Sequence, residues 1–226
     1  MSTALARLPL SRLLRTPRTV LTVGAWAALA IGFAVAARAQ GASHGADRAL
    51  VDAFGALVVP LLCYAIAGGA LGADSLSAAG ASAVAFGATP RRTAATTIAT
   101  ILGASVASCA VLGAAVAIVA HGSADAPVAR DALASAYASA LGGAAYASLF
   151  ALGSAFGRRG GGRTVALVAD WLLGANTTVV AFVTPRAHLR NLLGGTPPAA
   201  LGERLSAVAL LLLAALFALL ALRRAR

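Results

Sequence analysis

The chain has 226 residues, 60% of them hydrophobic and only 11% charged, with a mean hydropathy of +0.86. That composition excludes an ordinary soluble domain and places the protein in the membrane class before any motif is read. All 18 basic residues are arginine, and the net charge of +11 lies in short segments between apolar runs, a distribution that argues against nucleic acid as a partner.

Residues 1–18 mix leucines with arginines. Arg7, Ser11, Arg15 and Arg18 share one helical face while Leu10 and Leu13 point away from it. This reads as a short helix in the membrane interface with its arginines toward lipid phosphates, although Pro9 and Pro17 weaken it. Six apolar stretches follow: Thr19–Ala37, Val51–Leu71, Thr96–Ala120, Ala132–Phe156, Thr164–Thr184 and Leu205–Leu222. Each provides the roughly 20 apolar residues that a crossing needs. Backbone amides in lipid must be satisfied within the segment, so the stretches are expected as helices. Ala37-Arg38-Ala39 imitates a signal-peptide cleavage site, but the first stretch exceeds the usual apolar core of about 7–15 residues and is read as retained. The expected fold is all-α: a polytopic membrane protein whose residues 19–226 form one six-helix transmembrane domain.

Arg7, Arg12, Arg15, Arg18, Arg91, Arg92, Arg158, Arg159, Arg163, Arg223, Arg224 and Arg226 fall on one side of that layout. The other side holds Arg38, Arg48, Arg130, Arg186, Arg190 and Arg204. The positive-inside rule then makes both termini cytoplasmic in an inner membrane, with the excess arginines against anionic lipid.

Two segments are longer than a connection requires. Residues 72–95, on the cytoplasmic side, read as a short helix around Ser75–Phe86, a turn at Gly87-Ala88-Thr89-Pro90, and Arg91-Arg92 leading into the third stretch. Residues 185–204, outside, read as a re-entrant helical hairpin. By contrast Gly157–Arg163 is a tight turn; it lacks the preceding strand and the Lys-Ser/Thr ending of a phosphate loop. Ser105, Cys109, Gly113 and Ala117 recur at four-residue spacing in the third stretch, and Ser135, Ser139, Gly143 and Ala147 in the fourth. Such stripes let helix backbones approach closely.

Chemistry is sparse. Asp170 is the one acid well inside an apolar stretch, by default a functional group but expected here as a structural one, held by hydrogen bonds or by an arginine such as Arg158 or Arg163. Asn176 and Thr177 beyond it are candidates to line a pathway or to hydrogen-bond across helices. His44, His121 and His188 have no Glu or Cys at ligand spacing, so neither metal nor cofactor is expected. Hydrolase signatures are absent, and Cys63 and Cys109 read as packing residues.

Asp74, Gly80, Pro90 and Arg91 stand in the order acid, glycine, proline, base before the third stretch, and Thr184-Pro185-Arg186 opens the outside hairpin. With the six-stretch layout, these residues resemble the permeases of type-2 ABC exporters. The resemblance implies a coupling helix in which Asp74, Gly80, Ala83, Phe86, Pro90, Arg91 and Arg92 engage a cytosolic ATP-binding subunit. It also implies a second permease copy, or a related one, beside this chain, and no enzymatic activity in the chain itself. The cargo implied is a lipid-like, peptide or drug-like molecule. Two alternatives stand beside it: a haem-exporter-type permease of cytochrome maturation, and a membrane scaffold or sensor that docks a soluble partner without transport.

Overall fold

The computed structural model describes residues 2–41, 44–72, 74–175 and 179–225, and of residues 2–7, 158 and 199 the backbone only. Every regular element among them is helical. α1 (Ser2–Arg15) and α2 (Pro17–Ala39) part at Thr16, which is extended at φ −85°, ψ 104°. The Pro17 ring pushes the residue before it out of the α region, which separates the arginine-rich segment from the first long helix. α3 (Gly45–Leu71) is α-helical at both ends and π-helical over Ala49–Val58. Pro60 accounts for this: it offers no N–H to the carbonyl four residues back and its ring crowds that carbonyl, and a widened turn relieves the clash.

Two short helices follow, α4 (Leu76–Ala79) and α5 (Ala81–Ala85), and then α6 (Pro90–Ala120). α6 starts six residues before the expected third stretch, because Thr89 caps it by accepting the Arg92 N–H and Pro90 fills its first turn. Its 31 residues rise about 46 Å, more than a hydrocarbon core of about 30 Å. α7 (Val128–Gly153), α8 (Gly162–Leu173), α9 (Pro185–Leu192) and α10 (Glu203–Arg224) complete the order.

Among the described residues, four helices, α2, α3, α6 and α10, are long and apolar enough to cross a membrane. Leu21, Val111, Leu212 and Leu219 are exposed on their outer faces, a surface suited to lipid rather than water. α7 has the length, 26 residues, but its serines, glycines and tyrosines lower its hydropathy. Half of it is buried, because α3, α6 and α10 all pack on it.

The small-residue stripes meet as expected. Ser105, Cys109, Gly113 and Ala117 on α6, and Ser135, Ser139, Gly143 and Ala147 on α7, are all buried. Gly113 lies against the Ser139 side chain, and a Cβ at Gly143 would stand 3.0 Å from the Ser105 carbonyl oxygen. Cys63 and Cys109 are free, buried thiols with their sulfurs 3.7 Å apart.

The expected fifth stretch, Thr164–Thr184, is not one helix. α8 ends at Leu173, capped by Gly174, and the chain is next described as a 3-10 turn at Val179–Val183. A side chain at Gly174 would meet both Arg186 Cβ and Thr184 Oγ1, so the chain leaves α8 and returns to its tip before α9 begins. α9 then packs inward, with Leu189 against Gly142 of α7 and Leu193 against Gly55 of α3. Val179, Val180 and Val183 remain exposed.

Both termini occupy one end of the bundle. Arg12 of α1 donates to the Ala79 carbonyl (3.1 Å), the Leu76 N–H to the Ser154 carbonyl (3.0 Å), and Arg224 stacks on Phe156. The opposite end gathers residues 44–47, 121–131 and 194–195.

Candidate functional site

At the terminal end, α4 and α5 form an almost continuous helical strip whose two faces differ. Ser75 caps it by accepting the Ala78 N–H, and Leu76, Gly80 and Ala83 face the bundle. A Cβ at Gly80 would stand 2.6 Å from Thr93 Cγ2, so only glycine lets the strip lie this close to α6. Ser77, Ala78, Ala81, Ser82, Ala85 and Phe86 face outward. Phe86 is 92% exposed, followed by Gly87 at φ +90°, which ends the strip. Asp74, Pro90, Arg91 and Arg92 are exposed around it. Of the residues expected to engage a partner, Asp74, Phe86, Pro90, Arg91 and Arg92 are therefore accessible. Gly80 and Ala83 are not; Ala83 is only 6% exposed, and its role is to seat the strip.

Arg163, in the turn read from sequence as a topology signal, is itself buried. Its Nη2 donates to the Gly72 carbonyl (3.0 Å) and its Nε to the Gly160 carbonyl (3.3 Å). A guanidinium on the last carbonyls of α3 satisfies groups a helix end leaves unpaired. Arg163 thus clamps the start of the α4–α5 segment.

Asp170 is 3% exposed and lies in α8 one turn below the Gly174 cap. It accepts a hydrogen bond from the Tyr146 hydroxyl of α7 (2.7 Å) and from the Arg186 N–H in the first turn of α9 (3.3 Å). Of the two expected ways of holding it, the structure shows hydrogen bonds: the carboxylate is met by a phenol and a helix N-terminus, while Arg163 is committed to carbonyls elsewhere. The N-terminal N–H groups of α9 favour a negative charge there. The side chain of Arg158, and all of Asn176 and Thr177, lie outside the described residues. α9 is further fixed to α10 through His188, which is buried between Ser206 Oγ (Nδ1, 3.3 Å) and the Phe182 carbonyl (Nε2, 3.0 Å). Asn191 Nδ2 donates to the same Ser206 oxygen (2.8 Å).

At the opposite end, folding assembles a set that chain spacing did not reveal. His44, Asp47 and Asp125 bring donor atoms within 4.8 Å of one another, and so do His121, Asp125 and Asp131. Asp125 belongs to both groups. Its Oδ2 accepts the Gly122 N–H (2.7 Å) and the Ala46 N–H (2.9 Å), tying the α6–α7 loop to the start of α3. The histidines do lack Glu and Cys at ligand spacing, but Asp47 follows His44 by three residues and Asp125 follows His121 by four, and folding brings Asp125 to the first pair and Asp131 to the second.

Between α7 and α8, near the terminal end, an apolar groove of about 660 Å³ is lined by Leu149, Leu152, Phe156, Val165 and Ala169. No protein-family model, curated protein or solved structure matches the chain.

Proposed function

We propose that the chain is the membrane-spanning permease subunit of an ATP-binding-cassette exporter, driven by separate cytosolic ATP-binding subunits. The observation that carries this reading is the outward face of α4–α5. A phenylalanine 92% exposed lies in the same connecting segment as the exposed Arg91 and Arg92, and a docked protein would cover it. The strip is also tied to α1, to α6 and to the α7–α8 turn, so a push on it would reach several helices at once. In this reading the terminal end is cytoplasmic, and the chain crosses the inner membrane six times through α2, α3, α6, α7, a broken α8–α9 pass and α10. The return of the chain to Gly174 before α9 supports a re-entrant hairpin in the outer leaflet. Two permease copies, or one with a related partner, would enclose the pathway. The apolar groove between α7 and α8 favours a lipid-like cargo over a polar one.

The double variant Ala78→Glu with Ser82→Glu, both on the outward face, is expected to abolish copurification with the ATP-binding subunit and its coupled ATPase activity. Membrane insertion should be unaffected. Unchanged complex and coupling would count against the exporter, and capture of a soluble partner without ATPase activity would favour the scaffold.

Orientation is tested separately by impermeant thiol labelling in cells, with Cys63 and Cys109 replaced. Ser123→Cys is expected to label from outside and Gly161→Cys only after the membrane is opened. Labelling of Gly161→Cys in intact cells would reverse the orientation.

A further inference from the structure

We propose that His121, Asp125 and Asp131, with His44 and Asp47 at the rim, form a binding site for a divalent first-row transition-metal cation at the end of the bundle opposite the termini. The site is built from three separate pieces of chain: the start of α3 with its N-cap His44, the α6–α7 loop, and the first turn of α7. It does not rest on the exporter reading.

Three observations converge on it. Among the described residues, three buried carboxylate or imidazole atoms have no hydrogen-bond partner: His121 Nδ1, Asp125 Oδ1 and Asp131 Oδ2. All three belong to this cluster. The contrast with His188, whose two ring nitrogens are both engaged, is direct. An unpaired buried polar atom is destabilising, and three of them on residues whose ligand atoms lie within 4.8 Å of one another fit one shared cation better than three separate faults.

The Asp125 side chain is 1% exposed, with Oδ2 held by two backbone N–H groups and Oδ1 left free 3.8 Å from His44 Nδ1. A carboxylate gripped through one oxygen presents the other in a fixed position, as an oriented metal ligand does. Charge points the same way: Asp47, Asp125 and Asp131 converge, yet none of them forms an ion pair with an arginine among the described residues.

Two imidazoles with three carboxylates and no thiolate are the donors of zinc, manganese, iron or nickel sites rather than of magnesium or calcium sites, which use oxygen alone. Donors on one zinc at about 2.1 Å lie roughly 3.4 Å apart, so small side-chain rotations would draw a set within 4.8 Å onto an ion. His44 and Asp47, with side chains 62% and 54% exposed, leave an entry from the aqueous side. A bound cation would cross-link the start of α3 to the α6–α7 hairpin.

The test uses the full chain, purified without a polyhistidine tag, stripped with chelator and titrated calorimetrically with Zn²⁺. The expected result is about one ion per chain with micromolar or tighter affinity, and a rise in thermal midpoint. The His121→Ala with Asp131→Asn variant spares the backbone ties made by Asp125, and should bind at least ~100-fold more weakly and lose the thermal shift. Absence of binding, or equal binding by parent and variant, would overturn the site. X-ray absorption of the zinc-loaded parent decides the matter even if the variant misfolds. Imidazole scattering from a nitrogen and oxygen shell supports the site, and a shell without imidazole sinks it.

Discussion

Gly113→Leu should prevent the bundle from forming. A Cβ at Gly113 already overlaps the Ser139 side chain and stands 2.9 Å from the Ser135 carbonyl oxygen, so the α6 backbone rests directly on α7. Leucine adds three further carbons where none fits. Overpacking costs about 1–3 kcal/mol where side chains can yield, and here a backbone carbonyl blocks the way. Lipid supplies no hydrophobic force to push the helices back together, since association depends on the close contact that the substitution removes. The expected result is loss of the monodisperse peak in size-exclusion chromatography, with Gly113→Ala intermediate. Gly103, on the same helix, has nothing within 4 Å of a built Cβ. Gly103→Ala should therefore be neutral or stabilise by up to about 1 kcal/mol, through helix propensity alone. If Gly113→Leu eluted and melted like the parent, the α6–α7 packing described above would be wrong.

Asp170→Ala is the second large effect, because it strands two donors at once. The Tyr146 hydroxyl and the Arg186 N–H both lose their acceptor in a buried site, at roughly 1–3 kcal/mol each. Asp170→Asn keeps the shape and one good acceptor, so about half that loss is expected. Adding Tyr146→Phe to Asp170→Asn should cost less than the two changes summed, since the phenol is then no longer stranded. Thermal midpoints in detergent measure all three. Additive effects would deny the bond between the two side chains. A well-folded Asp170→Asn variant that lost all transport, in a protein driven by a pH gradient alone, would make Asp170 a proton relay and displace the ATP-driven reading.

The helical class and the placement of α2, α6 and α10 were legible because hydropathy and the cost of unpaired amides in lipid act within one segment. The glycine and serine stripes were legible for a related reason: four-residue spacing places them on one helical face wherever the helix is. Which residues of 72–95 face outward was not legible. Its Ala, Gly and Ser composition has no apolar stripe, and only the contact of Gly80 with Thr93 decides that Ala83 turns inward and Ala78 outward. Asp170 was marked by its depth, and that hydrogen bonds or an arginine would hold it was legible, but not which. Tyr146 is 24 residues away along the chain, and its approach to Asp170 depends on how α7 lies against α8.

By itself, then, the sequence determined what each segment is: an all-helical chain with stretches fit for a bilayer, arginines weighted to one side, and helix faces able to touch. Tertiary structure alone decided what meets what. It ended the helix of the fifth stretch at Gly174, where Thr184 and Arg186 of the returning chain stand in the place a side chain would take. It also brought His44 and Asp47 to Asp125 and Asp131 across more than seventy residues. Helix formation is governed by neighbours a few residues apart, whereas such meetings depend on which helix pairs can approach, and that is a property of the whole packed bundle.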